Sequence, residues 1–171
     1  MERNGREVKR ALKHQPQRQS STRTESQILA GPIRVSEVMT VETMTLRPNQ
    51  SFTDVVALMA NRSFHHVLVV DDDERLRGVI SDRDVLRALS RTPNWNKKSV
   101  SEIMTRKSVT TTPDSLISTA AHEMLAKRIN CLPVIDIEGR VCGILTSTDL
   151  LNAYAAIQAL VEKDRSISEP L

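Results

Sequence analysis

Two short stretches carry the residues that are best suited to chemistry. The first reads GVISDRDVL from Gly78 to Leu86, and the second reads GILTSTDLL from Gly143 to Leu151. Each contains a glycine, two apolar residues, a hydroxyl residue and, three positions later, an aspartate. A Ser or Thr followed three residues later by an acid is the pattern of a capping box, which bonds the free N–H groups at a helix start. Taken singly, each stretch predicts a capped helix.

The same residue types suit a phosphorylated ribose. A helix start that follows a strand presents N–H groups to an anion. The Ser81 or Thr146 hydroxyl could donate to a phosphate oxygen. Asp84 or Asp149, one turn later, could accept hydrogen bonds from a ribose diol, as acids do in dinucleotide folds. The glycine of each stretch would leave space for a ligand to approach the strand.

The two stretches differ in charge at the position just before the aspartate. Arg83 in the first corresponds to Thr148 in the second. Because arginine makes charge-assisted bonds to phosphate, we expect the Asp84 site to prefer a ligand with more phosphates.

The stretches belong to a longer internal repeat. A shift of 65 residues places VSEVMT (35–40) on VSEIMT (100–105), Pro48 on Pro113 and Gly78 on Gly143, without a gap. Each copy predicts a β-α-β-β-α unit. Its first strand covers 42–46 in one copy and 108–111 in the other, with Asn49 and Asp114 as helix N-caps.

One such unit buries too little apolar surface to be stable alone, so we expect two copies to share a core. The predicted fold is α+β, with tandem β-α-β-β-α repeats packed sheet to sheet about a pseudo-twofold axis. In the last helix we expect Leu150 and Tyr154 to pack in the core, and Ile157, Leu160 and Val161 to cover a partner chain. The predicted organisation is a basic, disordered tail (1–30), repeat 1 (31–91), a linker (92–99), repeat 2 (100–156) and a C-terminal extension (157–171).

Composition narrows the function classes. Residues 1–30 hold seven Lys or Arg and three Glu, a net charge of +4, whereas residues 31–171 hold 17 basic and 18 acidic residues, a net charge of −1. The near-neutral body argues against a nucleic-acid-binding fold, and leaves the tail as the one segment suited to nucleic acid or an anionic membrane surface. No apolar run is long enough to span a membrane, and no signal peptide is evident, so a cytoplasmic protein is expected.

The chain shows no pattern of catalysis. It lacks a nucleophile elbow, a Walker loop and a glycine-rich dinucleotide fingerprint, so we do not expect an enzyme or a required cofactor. His65 and His66 are adjacent on a predicted strand and point to opposite faces, which disfavours a shared metal ion. Cys131 corresponds to His66 in the other copy, but no metal site is predicted.

The duplicated unit resembles the CBS domain, and the pair resembles a Bateman module. The resemblance rests on VSEVMT/VSEIMT, the two proline helix starts, HVLVVD/CLPVID and GVISDRD/GILTSTD, across about residues 33–156. Leu68 replaces the proline that this family usually has and that Pro133 keeps. The family implies a cleft between the repeats that binds AMP, ADP, ATP, S-adenosylmethionine or NAD.

The resemblance also implies roles for particular residues. Phosphate and ribose contacts fall on Ser81, Arg83, Asp84, Thr146 and Asp149. Contacts to the base fall on Phe64, His65, His66, Ile129, Asn130 and Cys131, with Ser36, Val41, Ser101 and Arg106 as weaker candidates.

Three functions are compatible with these observations. The first is a stand-alone regulatory module, a homodimer that binds an adenosyl ligand and signals to an effector protein. The second is a structural or dimerisation module whose sites stay empty. The third is an adaptor for nucleic acid or membrane that works through residues 1–30.

Overall fold

The computed structural model describes residues 31–62, 64–91 and 93–168. The predicted tail (1–30) therefore lies outside the described residues. The first repeat contains α1 (Val35–Val38), β1 (Thr45–Leu46), α2 (Phe52–Arg62), β2 (His66–Val70), β3 (Leu76–Ser81) and α3 (Asp82–Arg91). The second contains α4 (Val100–Ile103), α5 (Ile117–Lys127), β4 (Cys131–Ile135), β5 (Val141–Thr146) and α6 (Ser147–Ser168), and a short 3-10 helix (Trp95–Lys97) precedes it.

Each repeat is built around an antiparallel strand pair. β2 pairs with β3, with His66 opposite Ser81, and β4 pairs with β5, with Cys131 opposite Thr146. β1 adds a parallel strand beside β2. The arrangement confirms the predicted α+β fold of tandem repeats.

The first strand of each repeat is shorter than the sequence predicts. β1 covers only Thr45–Leu46, and its counterpart in the second repeat is a single bridge between Thr111 and Val134. The Met44 carbonyl still accepts the Leu68 N–H of β2, but residues 42–44 and 108–110 are not part of a strand. Local β propensity therefore overstated the length of both strands.

The predicted N-caps Asn49 and Asp114 are wrong. α2 begins at Phe52 and α5 at Ile117, three residues later in each case. The Pro113 and Ser115 carbonyls accept the N–H groups of Ser36 and Val35 from the other repeat, which holds this turn out of the helix. The Pro48 and Gln50 carbonyls do the same for Ser101 and Val100.

The segments that open the repeats, residues 39–44 and 104–109, are exchanged between them. We call these the leading segments. Thr40 pairs with Ile144 of β5, and Thr105 pairs with Val79 of β3. A shift of 65 residues converts one pairing into the other, so the exchange obeys the pseudo-twofold symmetry of the repeats.

This exchange explains the two glycines in the repeated stretches. A Cβ atom on Gly78 would lie 2.8 Å from the Thr105 carbonyl oxygen and 2.9 Å from Met104 Sδ. On Gly143 it would lie 2.8 Å from the Thr40 carbonyl oxygen. The expectation that these glycines leave space for a ligand is therefore wrong, since a leading segment fills the space.

Among the described residues, the buried apolar side chains form three clusters. Phe52, Val69 and Ile80 centre the first repeat, and Val35, Leu132 and Leu145 centre the second. The third cluster joins the repeats through Leu68, Val79 and Ile144. Val35 comes from the first repeat but packs in the core of the second, so neither core is complete without the other repeat.

Apolar side chains on α3 and α6 remain exposed. Leu150 packs against the second core as predicted, but Tyr154 is 61% exposed, so its predicted core role is wrong. Tyr154 and Leu151 correspond by the 65-residue shift to Leu89 and Leu86, which are also exposed. We call these four residues the helix patch. Among the described helices, none is long and apolar enough to cross a membrane.

Candidate functional site

Both repeated stretches form the predicted capping boxes. The Ser81 hydroxyl and backbone N–H donate to Asp84 Oδ2 at 2.6 and 3.0 Å, and the Asp84 N–H donates to Ser81 Oγ at 3.3 Å. Thr146 and Asp149 make the same three bonds at 2.6, 2.7 and 3.3 Å. The prediction that each stretch caps a helix is confirmed. Ser81 precedes a helix of 10 residues, and Thr146 precedes one of 22 residues.

The second carboxylate oxygen differs between the two caps. Asp84 Oδ1 accepts from Arg87 Nη1 at 3.0 Å. Asp149 Oδ1 accepts from the hydroxyl of Thr40, in the leading segment of the first repeat, at 3.2 Å. The first aspartate is therefore neutralised from its own helix, whereas the second is bonded to the opposite repeat.

A cleft of about 630 Å³ lies between the repeats and reaches both helix starts. Its volume is within the range of small-molecule sites in proteins. Of its 26 lining residues, 24 form twelve pairs related by the 65-residue shift. The cleft therefore lies on the pseudo-twofold axis and presents two related half-sites. A second cavity of about 370 Å³ lies in the second repeat, beside α5 and β4, and its lining includes no residue of either cap.

Most of the predicted site residues line this cleft. The contributions come from the two helix starts and from the loops that lead into β2 and β4. They are Ser81, Arg83, Asp84, Thr146, Phe64, His65, His66, Ile129, Asn130 and Cys131.

Asp149 and all four weaker candidates lie outside the cleft lining. The Ser36 and Ser101 N–H groups bond to the turns at Pro113 and Pro48, and Arg106 donates to the Ser101 carbonyl. Val41 is 55% exposed. The leading segments do contribute to the cleft, but through other residues.

The sequence interpretation missed those other residues. From the leading segments, Thr40, Glu42, Thr43 and Met44 line the cleft together with Thr105, Lys107, Ser108 and Val109. Arg128, in a left-handed conformation at φ +53°, also lines the cleft just before β4. The 65-residue register could have identified the Glu42–Lys107 pair, because the shift exchanges an acid for a base at that position.

Burial changes the pKa values of His66 and Cys131, which both line the cleft. Burial lowers the pKa of His66, although the carboxylates of Asp82 and Asp84 act in the opposite direction. Burial also raises the pKa of the Cys131 thiol to about 12, with a further contribution from Asp84 of the other repeat. Both side chains are therefore uncharged at neutral pH, and Cys131 is a poor nucleophile and a poor metal ligand.

Within the described residues, no group of three or more His, Cys, Asp or Glu side chains lies close enough to hold a metal ion. His65 Nδ1 instead bonds to Asp82 Oδ2 at 3.1 Å. The polar residues that line the cleft supply hydroxyls, carboxylates and basic side chains, and they include the first residues of two helices.

Several proteins of solved structure are similar to this chain in both sequence and fold. The chain is 28% identical to the CBS domain pair of protein MJ0100, solved in complex with 5'-methylthioadenosine and S-adenosyl-L-methionine. That match covers 74% of this chain and 98% of the other, with a TM-score of 0.68. The chain is also 28% identical to CBSX2, solved in complex with AMP. This second match covers 73% of this chain and 98% of the other, with a TM-score of 0.66.

Among curated proteins, the chain is 31% identical to L-aspartate semialdehyde sulfurtransferase of Methanocaldococcus jannaschii over 133 residues. The match covers 77% of this chain but only 25% of that protein. The chain spans about a quarter of the length of most of the curated relatives it matches.

The family comparison agrees with the internal repeat. Residues 35–91 and residues 100–156 each match the CBS domain. These two ranges contain both leading segments, both strand pairs and both capped helix starts that face the cleft. The chain therefore belongs to the CBS domain family and carries two tandem copies of that domain.

Proposed function

We propose that the chain is a regulatory module that binds an adenine nucleotide or another adenosyl ligand in the cleft between its CBS domains. The observation that carries the proposal is that one cleft of about 630 Å³ reaches the starts of both capped helices, with Ser81, Asp84 and Thr146 in its lining. The related domain pairs solved with AMP, S-adenosyl-L-methionine and 5'-methylthioadenosine support the same class of ligand.

The residues divide by chemistry into three sets. The positive ends of the α3 and α6 helix dipoles, with the Ser81 and Thr146 hydroxyls, suit phosphate oxygens. Asp84 lines the cleft and suits the ribose diol through Oδ1, the oxygen that does not close the cap and that accepts from Arg87. Asp149 is assigned the same role at the second cap, where it lies outside the cleft lining and a ribose hydroxyl would share Oδ1 with Thr40. Phe64, His65, His66, Ile129, Asn130 and Cys131 supply the less polar walls against which a base packs.

Regulation follows from where the ligand binds. A ligand that contacts both repeats favours one arrangement of the pair over others, and a partner protein can read that difference. The two cores are interlocked through the leading segments, so a change at one half-site is transmitted to the other repeat. The output then passes through an effector protein or a linked domain.

The test is a binding panel on the whole chain. AMP, ADP, ATP, S-adenosylmethionine, 5'-methylthioadenosine and NAD are titrated by calorimetry and by thermal shift, since a ligand of the native state raises the melting temperature. Asp84→Asn and Asp149→Asn keep an oxygen that can close each cap but remove the charge. The matched control is Asp72→Asn, an exposed acid outside the cleft lining.

At least one adenosyl ligand should bind the wild type and the control, and weaken by about tenfold in the cap variants, the size expected for charged hydrogen bonds. Binding that is equal in all four proteins would refute the assignment of the site. An absence of binding by the whole panel would favour a structural module.

We further propose a homodimer formed through the helix patch. Leu86 and Leu151 are each 67% exposed, and the pseudo-twofold places equivalent apolar residues on α3 and α6. Leu86→Glu should shift the mass measured by light scattering from dimer to monomer. Leu125→Glu, on α5, is the control for an exposed leucine elsewhere. A wild type that is monomeric at all concentrations would exclude the dimer.

A further inference from the structure

The two half-sites of the cleft have opposite charge, although their backbones are equivalent. Glu42 in the leading segment of the first repeat corresponds to Lys107 in that of the second. Both side chains line the cleft and both are exposed. The 65-residue shift therefore exchanges a carboxylate for an ammonium group at equivalent places in one cavity.

The exchange of leading segments decides which half-site each charge enters. Thr105 pairs with Val79, two residues before Ser81, so Lys107 follows the segment that lies beside the Asp84 cap. Thr40 pairs with Ile144 and bonds to Asp149, so Glu42 follows the segment beside the Asp149 cap. Lys107 therefore belongs with Asp84, and Glu42 with Asp149.

Other charges reinforce this difference. The Asp84 half-site also holds Arg83, and Arg87 neutralises Asp84 itself at 3.0 Å. The Asp149 half-site has Thr148 and Asn152 at the same two positions. Asp82 is the acid that opposes this trend, and its carboxylate is bonded to His65 and to the Arg83 N–H.

Arg128 also faces the cleft, from the loop before β4. That loop runs between the two half-sites: its Asn130 carbonyl accepts the Ser147 N–H at the Asp149 helix, and Cys131 next to it lies close enough to Asp84 for that carboxylate to affect its pKa. Arg128 is therefore available to both half-sites. The difference between them rests on Lys107 and Arg83 against Glu42 and Thr148.

We propose that Lys107 and Glu42 set the number of phosphates each half-site accepts. The Asp84 half-site binds a nucleoside diphosphate or triphosphate, whose outer phosphates meet Lys107 and Arg83. The Asp149 half-site binds an adenosyl ligand without a phosphate chain, because Glu42 repels one and favours a neutral or cationic group. This inference rests on the proposed function, and it goes further by assigning different ligand classes to the two sites.

The experiment exchanges the two residues between repeats. Lys107→Glu, Glu42→Lys and the double exchange are compared with the wild type by calorimetry, using ATP, AMP and adenosine. Lys97→Glu, which makes the same charge change outside the cleft lining, controls for the overall charge. Each titration is repeated at low and high salt, because screening weakens phosphate contacts and leaves adenosine binding unaffected.

For the wild type we expect one ATP per chain. Lys107→Glu should lower the affinity for ATP by about tenfold, the effect of one charge-assisted bond, and leave the affinity for adenosine within about twofold of the wild type. Glu42→Lys should add a second, salt-sensitive ATP site, and the double exchange should move the ATP preference to the Asp149 half-site. When added to the double exchange, Asp149→Asn should then lower the affinity for ATP more than Asp84→Asn does.

If adenosine and AMP bind but the ratio of ATP to AMP affinity is the same in the wild type and Lys107→Glu, this inference is wrong and the proposed function stands. If no adenosyl ligand binds any variant, the proposed function itself fails. A loss of ATP in Lys97→Glu equal to that in Lys107→Glu would also overturn the local role of Lys107.

Discussion

The hydroxyl of Thr40 donates to Oδ1 of Asp149 across 109 positions of the chain, at 3.2 Å. A residue at the start of the first repeat thus completes the helix cap of the second. The equivalent oxygen of Asp84 accepts from Arg87 on its own helix. The two repeats share a fold but close their caps with different partners.

Replacing Thr40 with Val tests this contact between repeats. The variant keeps the shape of the side chain and loses the donor, so it should lower the free energy of unfolding by about 0.5 kcal/mol, the low end for an exposed hydrogen bond. Thr105→Val is the matched control, because Arg87 occupies the equivalent oxygen in that half. Chemical denaturation measures the free energy of unfolding of both variants. Equal losses in the two variants would contradict a specific Thr40–Asp149 bond.

Gly78→Ala should be markedly destabilising. The new methyl group would lie 2.8 Å from the Thr105 carbonyl oxygen and 2.9 Å from Met104 Sδ, so the leading segment must move. We expect a loss of about 2 kcal/mol, typical of overpacking. Gly139→Ala is the control: its φ of +80° is strained, but nothing lies within 4 Å of the added carbon. Its expected cost is about 1 kcal/mol. If Gly139→Ala proved the more costly, the close approach at Gly78 would be in doubt.

His66 should make the fold sensitive to acid. Burial holds its pKa below the ordinary value of 6.5, and His65 acts in the same direction, against Asp82 and Asp84. The unfolded chain therefore binds a proton at a higher pH than the native protein does. The associated stability is present above about pH 6.5 and is lost as the pH falls.

Denaturation curves at several pH values should show this slope, and His66→Gln should reduce it. The exposed His122 provides the control variant, His122→Gln. A slope that is unchanged in His66→Gln would show that another group is responsible.

Cys131 should report occupancy of the cleft. Because burial raises its pKa to about 12, the thiol should react slowly with iodoacetamide near neutral pH. A ligand in the cleft should slow it further, whereas Cys142 lies outside the cleft lining and should react at the same rate with or without ligand. Mass spectrometry of the alkylated peptides follows both residues in one sample. Equal protection of both cysteines would indicate global stabilisation rather than occupancy of the cleft.

Much of the architecture could be predicted from the sequence, because it depends on residue types at short, fixed spacings that recur in both repeats. Ser81 and Asp84 are three residues apart, so their mutual bonds follow from helix geometry alone. The β-α-β-β-α order was likewise evident from apolar periodicity. The N-caps at Asn49 and Asp114 failed because the carbonyls of those turns bond to residues of the other repeat, which no local pattern reveals.

The exposure of Tyr154 shows the same limit. Its spacing from Leu150 fits one helical stripe, yet Leu150 packs on the second core and Tyr154 is exposed. Helical periodicity defines which residues share a face, but not how far a core extends along it.

By itself, the sequence determined the duplication, the capped helices and the family to which the chain belongs, because these depend on residue types at short, fixed spacings. The tertiary structure alone decided that the leading segments cross between repeats. That crossing explains Gly78, brings Thr40 to Asp149 and places Lys107 and Glu42 in different halves of one cleft. The physical reason is distance along the chain: Thr40 pairs with Ile144, and such a pairing is selected by the packing of two whole repeats rather than by any local preference.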